Sequence, residues 1–323
     1  MSSYDVAVVG GGLRGMRAAA CAVAARPGAR VLCVEATPAP GGDVKTQRSN
    51  GFVCELGPFA FTREELDFWM APLEAPPRVV AASDRARTGW LFDGDARRPL
   101  RVEPEPCSFP TGCEDLVQGY RRQLGEALRL GREVTAVAPR DGEGFALTLG
   151  GEVPTELRAK EVVLAVPDDT SAKLLAAFEP ELPQVAARVT RAARAFAWFG
   201  GIAQQAPELT GYGVLPHPAL RSSVAELIFC TEAFEQRAMP DRVLVRAEVT
   251  ADVDVISETD DALLAATEAE LRRWTETEAP FGFTKVHRFS TVEPGGDATE
   301  CEARVAEIAR RAPGLSLALP SPS

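Results

Sequence analysis

No CxxC pair occurs in this chain, and its seven cysteines, at 21, 33, 54, 107, 113, 230 and 301, are odd in number and scattered. That pattern suggests neither a disulfide framework nor a zinc site. Histidine is scarcer still. Only His217 and His287 are present, so a metal-ligating set cannot be assembled in the usual way and no metal is expected. His217 lies between Pro216 and Pro218 and reads as a surface-loop residue. His287 falls in an expected strand over 284–290 with no acid beside it, so both read as structural. Basic charge is also short: 35 Lys and Arg stand against 46 Asp and Glu, a net charge of −11. Nucleic acid is therefore not an expected partner, since binding phosphate backbones requires a basic face. No apolar run approaches the ~18 residues of a transmembrane helix. The N-terminus enters a strand without a charged and then apolar leader, so no signal peptide is expected and a cytoplasmic location is the default. In that compartment Cys107 and Cys113, which flank a Phe-Pro-Thr-Gly turn, read as reduced structural thiols rather than a redox pair.

What is present is concentrated near the start. Tyr4 to Val9 reads as a buried strand, followed at once by Gly10-Gly11-Gly12-Leu13-Arg14-Gly15. An alanine-rich helix is expected from Met16 to about Arg26, then a second strand from Arg30 to Val34 that ends on Glu35. Strand, glycine turn, helix, strand and acid in that order form a dinucleotide-binding unit, with the acid about 20 residues past the last glycine. Gly10 permits the tight turn, Gly12 lets backbone approach a pyrophosphate, and Gly15 lets the helix pack closely on the sheet. The helix N-terminus offers unpaired N–H groups and partial positive charge to phosphate. Glu35 can accept hydrogen bonds from ribose hydroxyls. A ligand-free glycine turn is the competing reading, and the register of strand, helix and acid argues against it.

The 323 residues are enough for about two domains. Paired glycines recur at Gly41-Gly42, and Gly51 to Pro58 reads as a short strand ending at Gly57-Pro58. A hairpin turn is expected at Asp93-Gly94, a helix over 113–128, and strands over 132–138 and 144–149 around Asp141-Gly142. A buried strand from Glu161 to Val166 and a helix over 169–178 follow. Residues 189–252 turn β-rich, with strands at 194–203, 212–215, 222–229 and 242–250. Ser257 can cap a helix over 258–274 whose inner face is Leu263, Thr267, Leu271 and Trp274. A last helix over 299–312 leads to a strand from Leu315 to Leu319. The expected fold class is α/β: a Rossmann-like dinucleotide-binding domain with a second, mainly antiparallel α+β substrate domain. Residues 1–62, 105–170 and 291–323 are assigned to the first domain, and 63–104 and 171–290 to the second. A small molecule is expected in the cleft between them.

The string GGGLRG, Glu35, GGDVKT and GFVCELGP resembles the FAD-binding start of the flavin amine oxidase superfamily, and within it the protoporphyrinogen oxidase family. Later segments are similar in the same register: Phe109 to Gly112 with Leu116, Arg132-Glu133-Val134, Val162 to Pro167, Gly211 to Leu215 and Phe234 to Ala238. The resemblance implies FAD as cofactor, bound by Gly10, Gly12, Leu13, Arg14, Gly15, Glu35, Ala36, Gly41, Gly42, Lys45, Thr46, Gly57, Pro58 and Val134. It implies hydride removal from a porphyrinogen-like small molecule to flavin, with oxygen as reoxidant. The cofactor carries such chemistry, and no catalytic acid–base set stands out, so catalytic residues stay unassigned.

Two departures from the family accompany the likeness. The family's helical, membrane-contacting insertion after the ELGP segment has only 63–105 to occupy. The glycine-rich segment that lies under the flavin ring would begin where the sequence reaches Leu319 to Ser323. A porphyrinogen carries carboxylates, so an arginine is expected in its pocket. Arg87 falls close to the family's propionate-binding arginine; a solvated, salt-bridged hairpin face is the competing reading for that arginine-rich stretch. Phe199, Leu215 or Phe229 could form an apolar clamp or simply belong to the core. Three functions stay open: a protoporphyrinogen oxidase-like enzyme, another amine oxidase or desaturase of the superfamily, and a non-catalytic dinucleotide-binding protein.

Overall fold

The computed structural model describes residues 2–140, 143–151, 153–250, 259–320 and 322; the Asp141-Gly142 turn and the Ser257 cap lie outside the described residues. The strand Ser2–Val9 is parallel to Val31–Val34 on one side and to Thr155–Leu164 on the other. Its residues Val6 to Val9 are all buried, because helices cover both faces of such a sheet. The full order is Val134–Pro139, Phe145–Leu149, Thr155–Leu164, Ser2–Val9, Val31–Val34 and Leu128–Arg129, with Leu315–Leu317 also paired to Thr155–Leu164. One face carries the helices Leu13–Ala25 and Glu114–Leu124, packed through Met16, Ala19, Ala20, Leu116 and Tyr120. The other carries Asp168–Leu174, Leu182–Arg188 and Gly296–Arg311, packed through Leu174, Leu182, Val185, Val305 and Ile308.

The second sheet runs Phe281–Val292, Arg191–Ile202, Arg242–Val249, Val224–Phe229, Gly213–Pro216, Thr88–Phe92 and Arg97–Arg101. All its pairs are antiparallel except Gly213–Pro216 with Thr88–Phe92. Side chains alternate across such a sheet. Ala195, Ala197 and Phe199 pack with Leu263, Leu271 and Trp274 of the helix Asp260–Thr275. Phe196 and Trp198 face the opposite way and meet Phe52, Phe59 and Phe234. That second face is turned toward the first body, which is what places its polar residues at the site. The chain is thus a Rossmann-like domain joined to a mainly antiparallel α+β domain.

Several elements differ from expectation. The helix expected to 128 ends at Leu124, followed by Gly125 at φ 49°. Leu128 instead pairs with Cys33 as an added parallel strand, so backbone pairing at the sheet edge overrides a fourth helical repeat. Thr259 caps the helix Asp260–Thr275, its hydroxyl accepting from the Ala262 N–H at 3.3 Å. Residues 66–73 and 172–186, assigned by sequence to the second domain, pack into the clusters of the first sheet. The helix Arg63–Met70 starts at a capping box between Thr62 and Glu65 and packs there through Leu66 and Trp69. Among the described residues no helix is long and apolar enough to cross a membrane.

Candidate cofactor and substrate site

The glycine turn joins the end of the first strand to its helix, and its three key glycines serve different ends. Gly10 has φ 105°, a conformation only glycine adopts freely. A Cβ on Gly15 would fall 1.8 Å from the Gly10 carbonyl oxygen, so the helix can sit this close only with hydrogen there. Gly12 is different: its φ is −69° and its ψ 175°, which any residue adopts, and a Cβ would meet nothing nearer than Gly42 Cα at 3.8 Å. Nothing in the folded chain requires glycine at 12, so the open space before it is what the residue preserves. The helix behind it has no side-chain cap and no acid in its first turn. Its N–H groups and partial positive charge are left for an anion.

Glu35 closes one side of this cradle. Its Oε2 accepts from the Gly11 N–H at 2.7 Å, while Oε1 accepts from the Thr37 N–H and hydroxyl at 2.8 and 2.6 Å. The loop around Gly41 docks on the turn through its N–H to the Gly11 carbonyl, 2.8 Å. A cleft of about 690 Å³ runs along these elements, lined by Gly10, Gly12, Leu13, Arg14, Glu35, Ala36, Gly41, Gly42, Pro58 and Val134 among the expected residues. It also takes in Glu133, Val166, Pro167, Phe61 and Trp69, which sequence reasoning did not single out as site residues. The indole N–H of Trp69 is buried without a hydrogen-bond partner among the described residues.

A second cavity of about 640 Å³ shares Gly42, Asp43 and Pro58 with the first and continues to the inner face of the second sheet. Lys45 and Gly57 line it, together with Arg194, Phe196, Arg246, Glu248, His287 and Phe289. These last six come in pairs two residues apart on three neighbouring strands, so alternation alone puts them on one face. Charged residues at alternate positions of otherwise apolar strands were the available signal. Arg246 is held inward: its Nη1 donates to the Gly57 carbonyl at 2.7 Å, its Nη2 lies 3.4 Å from Glu226, and its guanidinium stacks 4.4 Å from the Phe196 ring centroid. Burial pushes the Glu226 carboxyl up, against the pull of Arg246. Burial, then Lys285 and Lys45, push His287 below its ordinary value.

Other expected residues lie elsewhere. Thr46 lines neither cavity; its hydroxyl donates to Glu55 Oε2 at 2.7 Å and accepts from the Glu114 N–H at 3.1 Å. Arg87 is on the surface, with 65% of its side chain exposed and ion pairs to Asp84 at 3.0 Å and Glu105 at 3.9 Å. It lines neither cavity. Phe199 and Phe229 are core residues under the helix Asp260–Thr275, and Leu215 is exposed, so none of these clamps the cleft. Phe196 and Phe289, with ring centroids 4.7 Å apart, supply the apolar wall instead. A larger cavity of about 1030 Å³ lies near Trp90 and Arg85, but none of its lining residues belongs to the glycine turn, and Arg85 pairs there with Glu232 and Glu235.

Comparison with known proteins adds the family. Residues 8–70 match the model of an NAD(P)-binding Rossmann-like domain, and residues 59–299 match that of flavin containing amine oxidoreductases. The chain belongs to the flavin containing amine oxidoreductase family. Among solved structures it is similar to a candidate protoporphyrinogen oxidase from Exiguobacterium sp. 255-15, with TM-score 0.79, 18% identity, and coverage of 98% of this chain and 94% of that one. It is also similar to cyclohexylamine oxidase from Brevibacterium oxydans IH-35A, with TM-score 0.70, 12% identity and coverage of 91% and 89%. A reduced UDP-galactopyranose mutase gives TM-score 0.70 at 11% identity, covering 98% and 88%. At these identities the likeness shows the fold. As a member of this family the protein is a flavin-dependent oxidoreductase acting on a small molecule. The cleft suits a flavin nucleotide: Gly12 leaves room for pyrophosphate at a bare helix N-terminus, and the second cavity opens from the far end.

Proposed function

We propose that the cofactor is FAD and that the protein is a protoporphyrinogen oxidase-like enzyme of the cytoplasm. In this reading Gly10, Gly12, Leu13 and Arg14 surround the pyrophosphate while Gly15 lets the helix close on the turn, Glu35 and Ala36 meet the ribose, and Val134 meets the adenine. Gly41, Gly42, Lys45, Thr46, Gly57 and Pro58 form or support the flavin end. The flavin, when bound, supplies a two-electron acceptor for hydride from a substrate carbon, with oxygen as the final oxidant. The chain's own part is to bind, orient and keep water out. The observation that carries the reading is the cavity of Arg194, Arg246, Phe196 and Phe289 opening from the nucleotide cleft. Its aromatic wall suits a flat apolar ring system, and the Arg194 guanidinium suits a carboxylate.

Glu248 in the same cavity favours a second reading, a cationic amine as substrate. Purified protein should carry visible flavin absorbance that protoporphyrinogen bleaches without oxygen. Bleaching by cyclohexylamine and not by protoporphyrinogen would give the amine reading. A colourless protein that takes up no added FAD would leave only a non-catalytic nucleotide-binding role.

A further inference from the structure

We propose that Arg194 is the carboxylate-recognising residue of the substrate cavity, with Glu248 as an internal competitor for it. The inference rests on the reading of this cavity as the substrate site, and it moves carboxylate recognition away from the surface Arg87. Arg194 lies in the strand Arg191–Ile202 with 34% of its side chain exposed, and it lines the cavity. Two contacts orient it: Nε donates to Thr291 Oγ1 at 3.2 Å, and Nη1 donates to Glu248 Oε1 at 3.1 Å. Nη2 has no partner among the described residues. A guanidinium fixed at Nε and Nη1 still offers the N–H groups of Nη2 as charge-assisted donors to a carboxylate, and displacing Glu248 from Nη1 would complete the two-point match. Arg246 cannot play this part, since its terminal nitrogens are taken by Gly57 and Glu226.

The surroundings agree. Lys45 lines the same cavity and makes no ion pair among the described residues, while Asp43 and Glu248 are the acids that line it. Glu248 is already engaged by Arg194. Phe196 and Phe289 line the same cavity as an apolar wall. The ligand that fits is a flat apolar body bearing at least one carboxylate.

The test is titration of the flavin-loaded protein with protoporphyrin IX and with its dimethyl ester, which differ only in the charge and acceptor geometry of the two side-chain carboxyls. The wild type should bind the free acid about tenfold or more tighter, the fold-change of one charge-assisted hydrogen bond. Arg194→Met should erase that preference with flavin content unchanged, and Arg194→Lys should keep part of it. Glu248→Gln should tighten acid binding severalfold by removing the competing charge and leave the ester unaffected. Equal binding of acid and ester by the wild type, or an intact preference in Arg194→Met, overturns this inference alone. Binding of neither porphyrin by a protein whose flavin cyclohexylamine bleaches overturns the porphyrinogen reading together with it.

Discussion

His287 and Lys45 are single residues whose meaning depends on what faces them. Burial chiefly, then Lys285 and Lys45, depress His287 from its ordinary 6.5, and Asp43 opposes them. Lys45→Met removes one of the depressing charges, so the His287 pKa should rise toward 6.5. With two histidines in the chain, an NMR titration of the imidazole signals reads this directly. A pKa that stays put or falls would show that the Lys45 charge does not reach the imidazole. The sign for stability follows. The folded pKa lies below the unfolded one, so the unfolded chain takes up the proton first as pH falls. His287's contribution is full above 6.5 and is lost as pH drops through the folded value.

At the scale of the element, the strand–turn–helix start separates two uses of glycine that look alike in sequence. Gly15 is required by packing, because its Cβ would overlap the Gly10 carbonyl. Gly15→Val should therefore cost about 3 kcal/mol or more through overpacking, seen as a large fall in melting temperature. Gly12→Val has room in the protein and an ordinary backbone conformation. It should melt close to the wild type yet lose flavin, because the branched side chain occupies the pyrophosphate's space. Flavin retained by a well-folded Gly12→Val protein would place the nucleotide elsewhere.

For the whole molecule, the join between the two bodies is a buried polar network. Arg237, fully buried in the body of the second sheet, places Nη2 3.3 Å from Glu55 and 2.5 Å from the Ser108 hydroxyl, and Nη1 3.2 Å from the Phe109 carbonyl. Glu55 also accepts from the Cys113 N–H at 2.9 Å and from the Thr46 hydroxyl at 2.7 Å. Burial raises its pKa against these partners. A buried pair is often nearly neutral against an apolar substitute, but breaking one side strands a charge. Arg237→Met should cost about 3–5 kcal/mol in denaturant unfolding. Adding Glu55→Gln should recover part of that cost, because the carboxylate left unpaired is gone. Strict additivity of the two substitutions would show that the pair does not join the bodies energetically. Arg246 extends the same join to the Gly57 carbonyl, in the lining of the second cavity.

The Rossmann-like start was legible in the chain because every part of it is local. Strand, glycine turn, helix and Glu35 follow one another within 35 residues, and each is dictated by backbone geometry and burial that a short window carries. The strands of the second sheet and the inner face of the helix Asp260–Thr275 were legible for the same reason, through periods of two and of about 3.6. The lining of the second cavity was not. Arg194, Glu248 and His287 are distant in sequence, and only strand pairing brings them to one surface. Arg87, next to a legible hairpin, was carried to solvent and ion-paired there. Sequence by itself determined the strand, glycine turn, helix and acid of the Rossmann-like start, since that depends on neighbours along the chain. Tertiary structure alone decided which arginines line the second cavity, since that depends on which strands pair.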